Sequence, residues 1–340
     1  MGYLGPVTVK HLRMLCPEAV LIGYDNAYFA HCLTNASDLP ERYVNLQYFG
    51  DIRIFPESLL SGLDVVVHLA AISNDPIGNV NEEVTLDVNY RSSVMLAKKA
   101  KEFGVKSFVF ASSCSVYGFA EDGAKSEESP VNPLTAYAKS KVLTENDLKL
   151  LADKNFNVTC LRFSTACGMS ARLRLDLVLN DFVASAITLN KIQILSDGSP
   201  WRPLININDM ARAIDWAINR KNESGKEFIV VNIGSEEWNY KIKELADAVV
   251  KIIPGVEVSI NKDAQPDKRS YKVNFERFKK LAPQHQPQYD LIKTIMDLKN
   301  GLNEMVFQEK DFRNSSFIRL KVLENLRNSK LLSSDFKWIK

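Results

Sequence analysis

Apolar and polar positions in the first half of the chain alternate between short β-branched runs and longer stretches with helical spacing. Apolar residues recur every three or four positions in Val7–Leu15, Val88–Phe103 and Thr135–Lys154, which predicts helices. Strands separated by helices of this length indicate βαβ units, and hence a parallel sheet of the α/β class. The continuous run Val65–Val67 predicts a strand that is buried on both faces. The predicted strands are Ala19–Tyr24, Tyr43–Phe49, Asp64–Ala71, Ser107–Ser112 and Asn157–Arg162.

The pattern changes after about Cys167, where shorter strands mix with helices at Asp209–Asn219 and Ile242–Ile253. We therefore predict a doubly wound parallel domain over residues 1–167. A smaller α+β lobe, interleaved with the end of the sheet, is predicted over residues 168–340. The charged, amphipathic tail from Phe312 predicts a helix that packs on the surface. The strands predicted in this half are Ile192–Leu195, Leu204–Ile207, Phe228–Ile233 and Val256–Ile260.

Composition narrows the class of protein. The 340 residues are 46% hydrophobic and 25% charged, and the formal net charge is +2, which gives no electrostatic reason to expect nucleic acid or an anionic membrane as a partner. No apolar run approaches the roughly 18 residues that span a bilayer, and no secretory pattern is visible. The five cysteines (Cys16, Cys32, Cys114, Cys160 and Cys167) lack CxxC spacing, which favours reduced thiols over a disulfide framework or a zinc site. We expect a cytoplasmic globular enzyme without a metal.

The chain opens on a candidate phosphate-binding turn. Gly2 and Gly5, followed by Pro6 at a first helical position, match the last two glycines of G-x-x-G-x-x-G. Asp25, about 20 residues on at the end of the next strand, is suited to bind a ribose hydroxyl, although Asp25-Asn26 taken alone favours a plain turn after the strand. In a doubly wound sheet the strand before such a turn is central. We therefore expect the natural chain to begin upstream of Met1.

Tyr137 and Lys141 form a Y-x-x-x-K pair on one face of the predicted helix Thr135–Lys154. A lysine ammonium beside a phenol favours the phenolate, which is a usable base. The same spacing recurs at Tyr289 and Lys293, which we interpret as structural because no sheet strand precedes it. Ser113 lies upstream of Tyr137 at the carboxyl end of a predicted parallel strand, where ligands bind in open α/β sheets. The alternative is a serine-rich strand end that caps its own backbone.

With these elements in this order, the chain resembles an extended short-chain dehydrogenase/reductase of the NAD-dependent epimerase/dehydratase family, whose members act on nucleotide-diphosphate sugars. The resemblance covers nearly the whole chain and implies a Rossmann-like fold with NAD as the cofactor. The motifs that carry it are Gly2–Gly5, Asp25-Asn26, Gly50–Arg53, His68–Ala71, Ser112–Gly118, Pro133–Lys141, Leu161-Arg162, Asp197–Asp209 and Asn232–Gly234.

The resemblance also implies roles for individual residues. Ser113, Tyr137 and Lys141 would be catalytic, with Tyr137 as the base. The implied cofactor-binding residues are Gly2, Tyr3, Leu4, Gly5, Asp25, Asn26, Asp51, Ile52, Leu69, Ala70, Ala71, Tyr137 and Lys141. The implied substrate-binding residues are Ser113, Cys114, Ser115, Asn180, Arg202 and Arg269, of which the two arginines would bind the diphosphate.

The residues after Ser113 discriminate between reactions. Dehydratases of this family carry Asp-Glu where this chain has Cys114-Ser115, and decarboxylases carry Glu in place of Ser115. Neither a thiol nor a hydroxyl readily replaces a carboxylate as a proton donor, so 4-epimerisation is the favoured reaction. The alternatives are a 4-keto nucleotide-sugar reductase that uses NAD(P)H and a non-catalytic nucleotide-sugar-binding relative. The resemblance further implies a homodimer formed through Val88–Phe103 and Thr135–Lys154.

Overall fold

Parallel strands between helices form the architecture of the protein. The computed structural model describes residues 1–34, 39–73, 81–120, 123–221, 226–261, 264 and 270–339. The helices are α1 (Gly5–Leu15), α2 (Glu82–Leu86), α3 (Ser92–Glu102), α4 (Ala136–Leu151), α5 (Val178–Leu189), α6 (Ile207–Asn219), α7 (Ile242–Ile252), α8 (Glu276–Leu281), α9 (Leu291–Glu304) and α10 (Arg319–Asn328). The strands are β1 (Ile22–Asp25), β2 (Leu46–Phe49), β3 (Val65–His68), β4 (Ser107–Ser113), β5 (Ala124–Lys125), β6 (Asn157–Phe163), β7 (Thr165–Cys167), β8 (Lys191–Ile194), β9 (Trp201–Asn206), β10 (Phe228–Ile233), β11 (Asn239–Lys241), β12 (Glu257–Ile260) and β13 (Lys272–Val273).

The main sheet has the strand order β10-β6-β4-β3, and all its strands are parallel. The register aligns Ser107 with Asn157 and Ser113 with Phe163, so the carboxyl ends of β4 and β6 lie side by side. Every residue of β6 is buried, as expected for a central strand. The α/β class with a parallel sheet is confirmed.

Strands β1 and β2 form a separate parallel pair, in which Asp25 lies opposite Phe49. In the described part of the chain β3 pairs only with β4, and is therefore an edge strand of the main sheet. Val65, Val66 and Val67 are consequently only partly buried. Val65 and Val67 pack against the core on one face and Val66 against the core on the other, so both faces are covered as predicted, and the remaining exposure comes through the open edge.

Helices cover both faces of the main sheet. Helix α6 packs on β3, β4 and β6 and is contacted by α1, whereas α3 and α4 pack side by side on the opposite face. A π-helical turn at Asp87–Arg91 joins α2 to α3. The predicted helix Val88–Phe103 thus begins earlier, at Glu82, where the Asn81 side chain caps the first turn.

The second half builds smaller sheets around a large apolar core. Strands β7, β9 and β11 form one sheet, β8 pairs with β12, and β5 pairs with β13. The core of this half lies between α5, α6, α7 and α9. The segment after α10 packs on the first half instead, where Leu332 and Phe336 join a core cluster that contains Ile52 and Leu60.

Candidate functional site

The carboxyl end of β4 leads into a tight 3₁₀ turn, Cys114–Tyr117. The Ser113 hydroxyl accepts a hydrogen bond of 3.1 Å from the Ser115 amide and so caps this turn. Gly118 ends the turn at φ +64°, and a Cβ there would clash with the carbonyl oxygen of Asn132. The capping alternative for the serine-rich strand end is therefore present in the structure. It is compatible with a catalytic Ser113, because accepting this bond leaves the hydroxyl hydrogen to donate.

Helix α4 brings Tyr137 and Lys141 to the same edge of the sheet. The side chain of Thr135 accepts from the Ala138 amide and starts the helix one residue before Ala136. The Lys141 amine lies 5.3 Å from the centroid of the Tyr137 ring and donates to the carbonyl oxygen of Ala111 on β4, at 2.7 Å. Lys141 is buried, and burial lowers its pKa to about 8. The structure thus brings the predicted tyrosine and lysine together beside β4.

A network of buried polar side chains, which the sequence analysis missed, supports the corner formed by the end of β4 and the start of α4. The guanidinium of Arg162 on β6 donates to both carboxylate oxygens of Glu145 on α4, at 3.0 and 2.6 Å, and the Ser112 hydroxyl donates to the same carboxylate. Arg162 also donates to the Tyr117 hydroxyl, which in turn donates to the Asn232 side chain on β10. An arginine inside a fully buried apolar strand was the available signal, since such a residue needs a buried partner.

His68 lies under the same corner at the end of β3. Its Nε2 is 2.7 Å from the Ser93 hydroxyl, which itself donates to the carbonyl oxygen of Asn89. Because the hydroxyl has a single hydrogen, Nε2 must carry the proton that His68 donates. Burial, followed by the charge of Lys141, lowers the pKa of His68 to about 3, so the ring is neutral at physiological pH.

The residues after β3 that the resemblance assigns to the cofactor extend from the same sheet edge. Leu69 and Ala71 are half-buried and Ala70 is exposed. The Asn89 side chain accepts from the Ile72 amide at 2.7 Å and donates to the Ile72 carbonyl at 3.0 Å, which holds this loop against the π-helical turn.

The predicted glycine turn lies at the start of α1, but the side chain of its Tyr3 points into the protein interior. Tyr3 is buried, its hydroxyl donates to the carbonyl oxygen of Gly168 at 2.6 Å, and it accepts from Asn180 at 3.0 Å. Asn180 is buried as well and further donates to the Arg174 carbonyl and accepts from the Gly168 amide. Tyr3, a predicted cofactor-binding residue, is therefore hydrogen-bonded to Asn180, a predicted substrate-binding residue. Both side chains bind other groups of the protein.

Asp25, Asn26 and Asp51 share the neighbouring edge formed by β1 and β2. The Asp25 carboxylate accepts from the Ala27 amide at 2.6 Å and contacts the α-amino group of Met1. Asp51 caps the 3₁₀ turn Ile52–Ile54 and binds the Arg53 guanidinium with both carboxylate oxygens. Ile52 itself is buried in the core.

The remaining predicted substrate residues are more dispersed. Cys114 is fully buried, with its Sγ 3.0 Å from the Arg162 carbonyl oxygen, and the Ser115 hydroxyl oxygen is buried without a hydrogen-bond partner among the described residues. Arg202 is half-buried on β9 and donates to the Trp201 carbonyl. Arg269 lies outside the described residues.

Several features fit a bound dinucleotide. No side chain caps the start of α1 at Leu4, and a Cβ on Gly2 would meet no atom within 4 Å, so the turn is open to a phosphate. The Asn26 side-chain oxygen just after β1 is buried without a partner in the described part of the chain. Such an oxygen is suited to accept a hydrogen bond from a ribose hydroxyl of the dinucleotide. Gly2, Leu4, Gly5, Asp25 and Asn26 would hold this group.

The described residues show neither a metal-binding cluster nor a membrane-spanning helix. Within them, no group of three or more His, Cys, Asp or Glu side chains could hold a metal ion. No helix in the same ranges is long and apolar enough to span a membrane.

The chain is similar to known nucleotide-sugar enzymes. It is 26% identical over 272 residues to a UDP-glucose 4-epimerase of Lacticaseibacillus casei, covering 74% of this chain and 78% of that protein. It is 31% identical over 184 residues to YtcB of Bacillus subtilis, described as an uncharacterised UDP-glucose epimerase, covering 53% of this chain and 56% of YtcB.

Among solved structures, the UDP-glucuronic acid 4-epimerase of Bacillus cereus, in complex with UDP-glucuronic acid and NAD, has the same fold. It superposes with a TM-score of 0.76 at 21% identity, covering 89% of this chain and 97% of that one. The family model described as the NAD dependent epimerase/dehydratase family matches residues 1–234, more than half of the chain. The protein therefore belongs to the NAD-dependent epimerase/dehydratase family, and NAD is its cofactor.

Proposed function

We propose that the protein catalyses the 4-epimerisation of a nucleotide-diphosphate sugar. The observation that carries the proposal is the Tyr137–Lys141 pair beside Ser113, combined with Cys114-Ser115 in place of the carboxylates that a dehydratase uses. Relatives described as UDP-glucose 4-epimerases support a UDP-sugar as the substrate.

Tyr137 acts as the base that accepts a proton from the C4 hydroxyl of the sugar and later returns it. Lys141 keeps a positive charge 5.3 Å from the Tyr137 ring, which stabilises the phenolate. The Ser113 hydroxyl donates a hydrogen bond to the same sugar oxygen, since its cap to Ser115 uses only an acceptor lone pair. Bound NAD supplies the hydride acceptor for the oxidation and the hydride donor for the reduction.

The carboxylate nearest to this pair along α4 is unsuited to water elimination. Glu145 is buried and receives hydrogen bonds from Arg162 and Ser112. A buried carboxylate whose oxygens already accept these hydrogen bonds is engaged inside the protein and is poorly placed to donate a proton to a substrate. The described chemistry around Tyr137 thus favours proton exchange on a hydroxyl over loss of that hydroxyl.

The test is to incubate the purified protein with UDP-glucose, UDP-galactose or UDP-N-acetylglucosamine. No NAD or NADH is added, and the configuration at C4 of the sugar is followed by NMR. We expect interconversion of the C4 epimers with no net change in absorbance at 340 nm. Heat denaturation is expected to release NAD or NADH in a stoichiometric amount, which mass spectrometry detects. A 4-keto-6-deoxy product would instead identify a dehydratase, and consumption of added NADPH with a 4-keto sugar would identify a reductase.

A further inference from the structure

Three arginines lie buried together beside the predicted cofactor residues. Arg172 and Arg174 are in the segment between β7 and α5, and Arg319 is the first residue of α10. Their exposed fractions are 4%, 9% and 3%. A buried guanidinium is strongly destabilising unless carboxylates, phosphates or several acceptors compensate its charge.

The carboxylates in the cluster do not compensate all three charges. Asp176 binds Arg174 with both oxygens, at 2.9 and 3.0 Å, and Glu41 accepts from Arg172 at 2.8 Å. Among the described residues Arg319 has no carboxylate within ion-pair distance. It donates to the Arg172 carbonyl at 2.8 Å and lies over the Phe29 ring. One positive charge of the cluster therefore has no carboxylate partner among the described residues.

Unpartnered donors point to the same excess. In the described part of the chain, Nε and Nη1 of Arg172 and Nη1 of Arg319 are buried without a hydrogen-bond acceptor. Burial and the charge of Arg174 lower the pKa of Arg319 to about 10, which still leaves it charged at physiological pH. Since the described residues offer these donors no acceptor, they are suited to an anion with several oxygens, such as a phosphate.

The segments around the arginine cluster indicate that this phosphate belongs to the dinucleotide. Arg174 donates to Ser73, which follows Ala70-Ala71, and it feels the electrostatic influence of Tyr3 and Tyr137. Arg319 lies over Phe29, just after Asp25-Asn26. The cluster therefore adjoins the turn before α1, the loop after β3 and the loop after β1, which are the three segments assigned to NAD.

We propose that Arg319 and Arg172 bind the diphosphate of the dinucleotide, so that helix α10 contributes to the cofactor site. The proposal rests on NAD as the cofactor and is independent of the reaction at C4. An anion at this position accepts hydrogen bonds from the three unpartnered guanidinium nitrogens of Arg172 and Arg319 and neutralises the positive charge of Arg319. It also couples cofactor binding to the packing of the carboxyl-terminal segment.

The test measures nucleotide binding by calorimetry in the full-length protein freed of nucleotide. The variant Arg319→Met is compared with Lys321→Met, a matched change on the same helix at a half-buried lysine paired with Glu324. We expect Arg319→Met to weaken NAD and ADP-ribose about 10- to 100-fold, with Arg319→Lys in between. Lys321→Met should leave both affinities unchanged, and UDP-glucose should bind equally to all variants.

The thermal stability of the nucleotide-free protein provides a second readout. Replacing an uncompensated buried charge is expected to leave the melting temperature unchanged or higher, while the shift produced by NAD shrinks. Unchanged NAD affinity in Arg319→Met would overturn the proposal, as would weakened UDP-glucose binding alone, which would assign the cluster to the substrate. If Arg319→Met fails to fold, Arg172→Gln is measured by the same titrations with the same expectation.

Discussion

At the scale of single residues, the proposed chemistry depends on one positive charge beside Tyr137. Lys141 is held by the Ala111 carbonyl and lies against the Phe110 ring, so its amine cannot leave the corner. His68 lies close enough to feel the lysine charge, but its lowered pKa keeps it neutral. A second cation at this place would compete with the ammonium, and the buried, neutral histidine avoids that repulsion.

Removing the Tyr137 hydroxyl tests its role as the base. We expect Tyr137→Phe to lower kcat by about 10²- to 10⁴-fold, the range typical of a positioned proton-transfer group. Bound NAD and the melting temperature should change little, because the ring remains. The measurement is C4 epimer exchange by NMR. The Tyr289→Phe variant, at the second Y-x-x-x-K pair, is the control and should retain wild-type activity.

The lowered pKa of Lys141 predicts opposite effects of pH on activity and stability. Activity should fall as pH rises through about 8, since the ammonium that stabilises the phenolate is lost. Stability should rise between about 8 and 10.5, because there the unfolded lysine still binds a proton that the folded one has released. The free energy of unfolding of the wild type relative to Lys141→Met, followed by urea denaturation from pH 7 to 10.5, measures the second effect. A difference that stays flat over this range would contradict the buried state of Lys141.

At the scale of elements, a buried ion pair fixes α4 against the sheet. Glu145 belongs to the helix that carries Tyr137, and Arg162 belongs to the central strand β6. Their two hydrogen bonds, with the bond from Ser112, set the position of the helix relative to the end of β4. The distance between Ser113 and Tyr137 therefore depends on groups that do not themselves react.

Breaking this pair should be costly, in contrast to an exposed pair that joins the same helix to α2. Glu145→Ala leaves Arg162 buried without its carboxylate and is expected to lower the free energy of unfolding by about 3–5 kcal/mol. The matched control is Glu82→Ala, which removes the exposed 3.0 Å pair between Glu82 and Lys139 and should cost less than about 1 kcal/mol. Urea denaturation measures both values. Equal losses would show that the buried pair contributes no more than a surface one.

At the scale of the whole molecule, the carboxyl-terminal segment ties the second half of the chain to the first. The Trp338 indole donates to the Asn26 carbonyl at 2.7 Å, and Arg53 donates to the carbonyls of Asp335 and Phe336. These bonds join the far end of the chain to the loops that follow β1 and β2. A division at residue 167 stays a prediction, and this segment crosses it.

We expect a homodimer through the surface formed by α3 and α4. Leu143 on α4 is 39% exposed, and Met95 lies on the neighbouring helix. Leu143→Arg should place a charge in that contact and shift the protein to a monomer in size-exclusion chromatography with light scattering. Leu281→Arg, at a leucine that is 38% exposed on α8, is the matched control and should leave the mass unchanged. A wild-type monomer at micromolar concentration would refute the prediction.

The sequence by itself determined many of the elements and the pairing of Tyr137 with Lys141. Periodicity located nine of the strands to within a few residues, and Phe228–Ile233 coincides with β10, whereas the short strands β5, β7, β11 and β13 were not predicted. The spacing of Tyr137 and Lys141 on one helix ensured that both side chains share a face, and Lys141 bonds to Ala111 on β4, the strand that ends at Ser113. These features depend on interactions between near neighbours in the chain, which a local pattern records.

Only the tertiary structure decided which polar groups are used inside the protein. Tyr3 and Asn180 bind each other although 177 positions separate them, and Arg319 reaches the Arg172 carbonyl across 147 positions. Val65–Val67 became an edge strand because pairing depends on which strand lies alongside. Burial, hydrogen-bond partners and uncompensated charge arise where distant segments pack together, so no local pattern contains them.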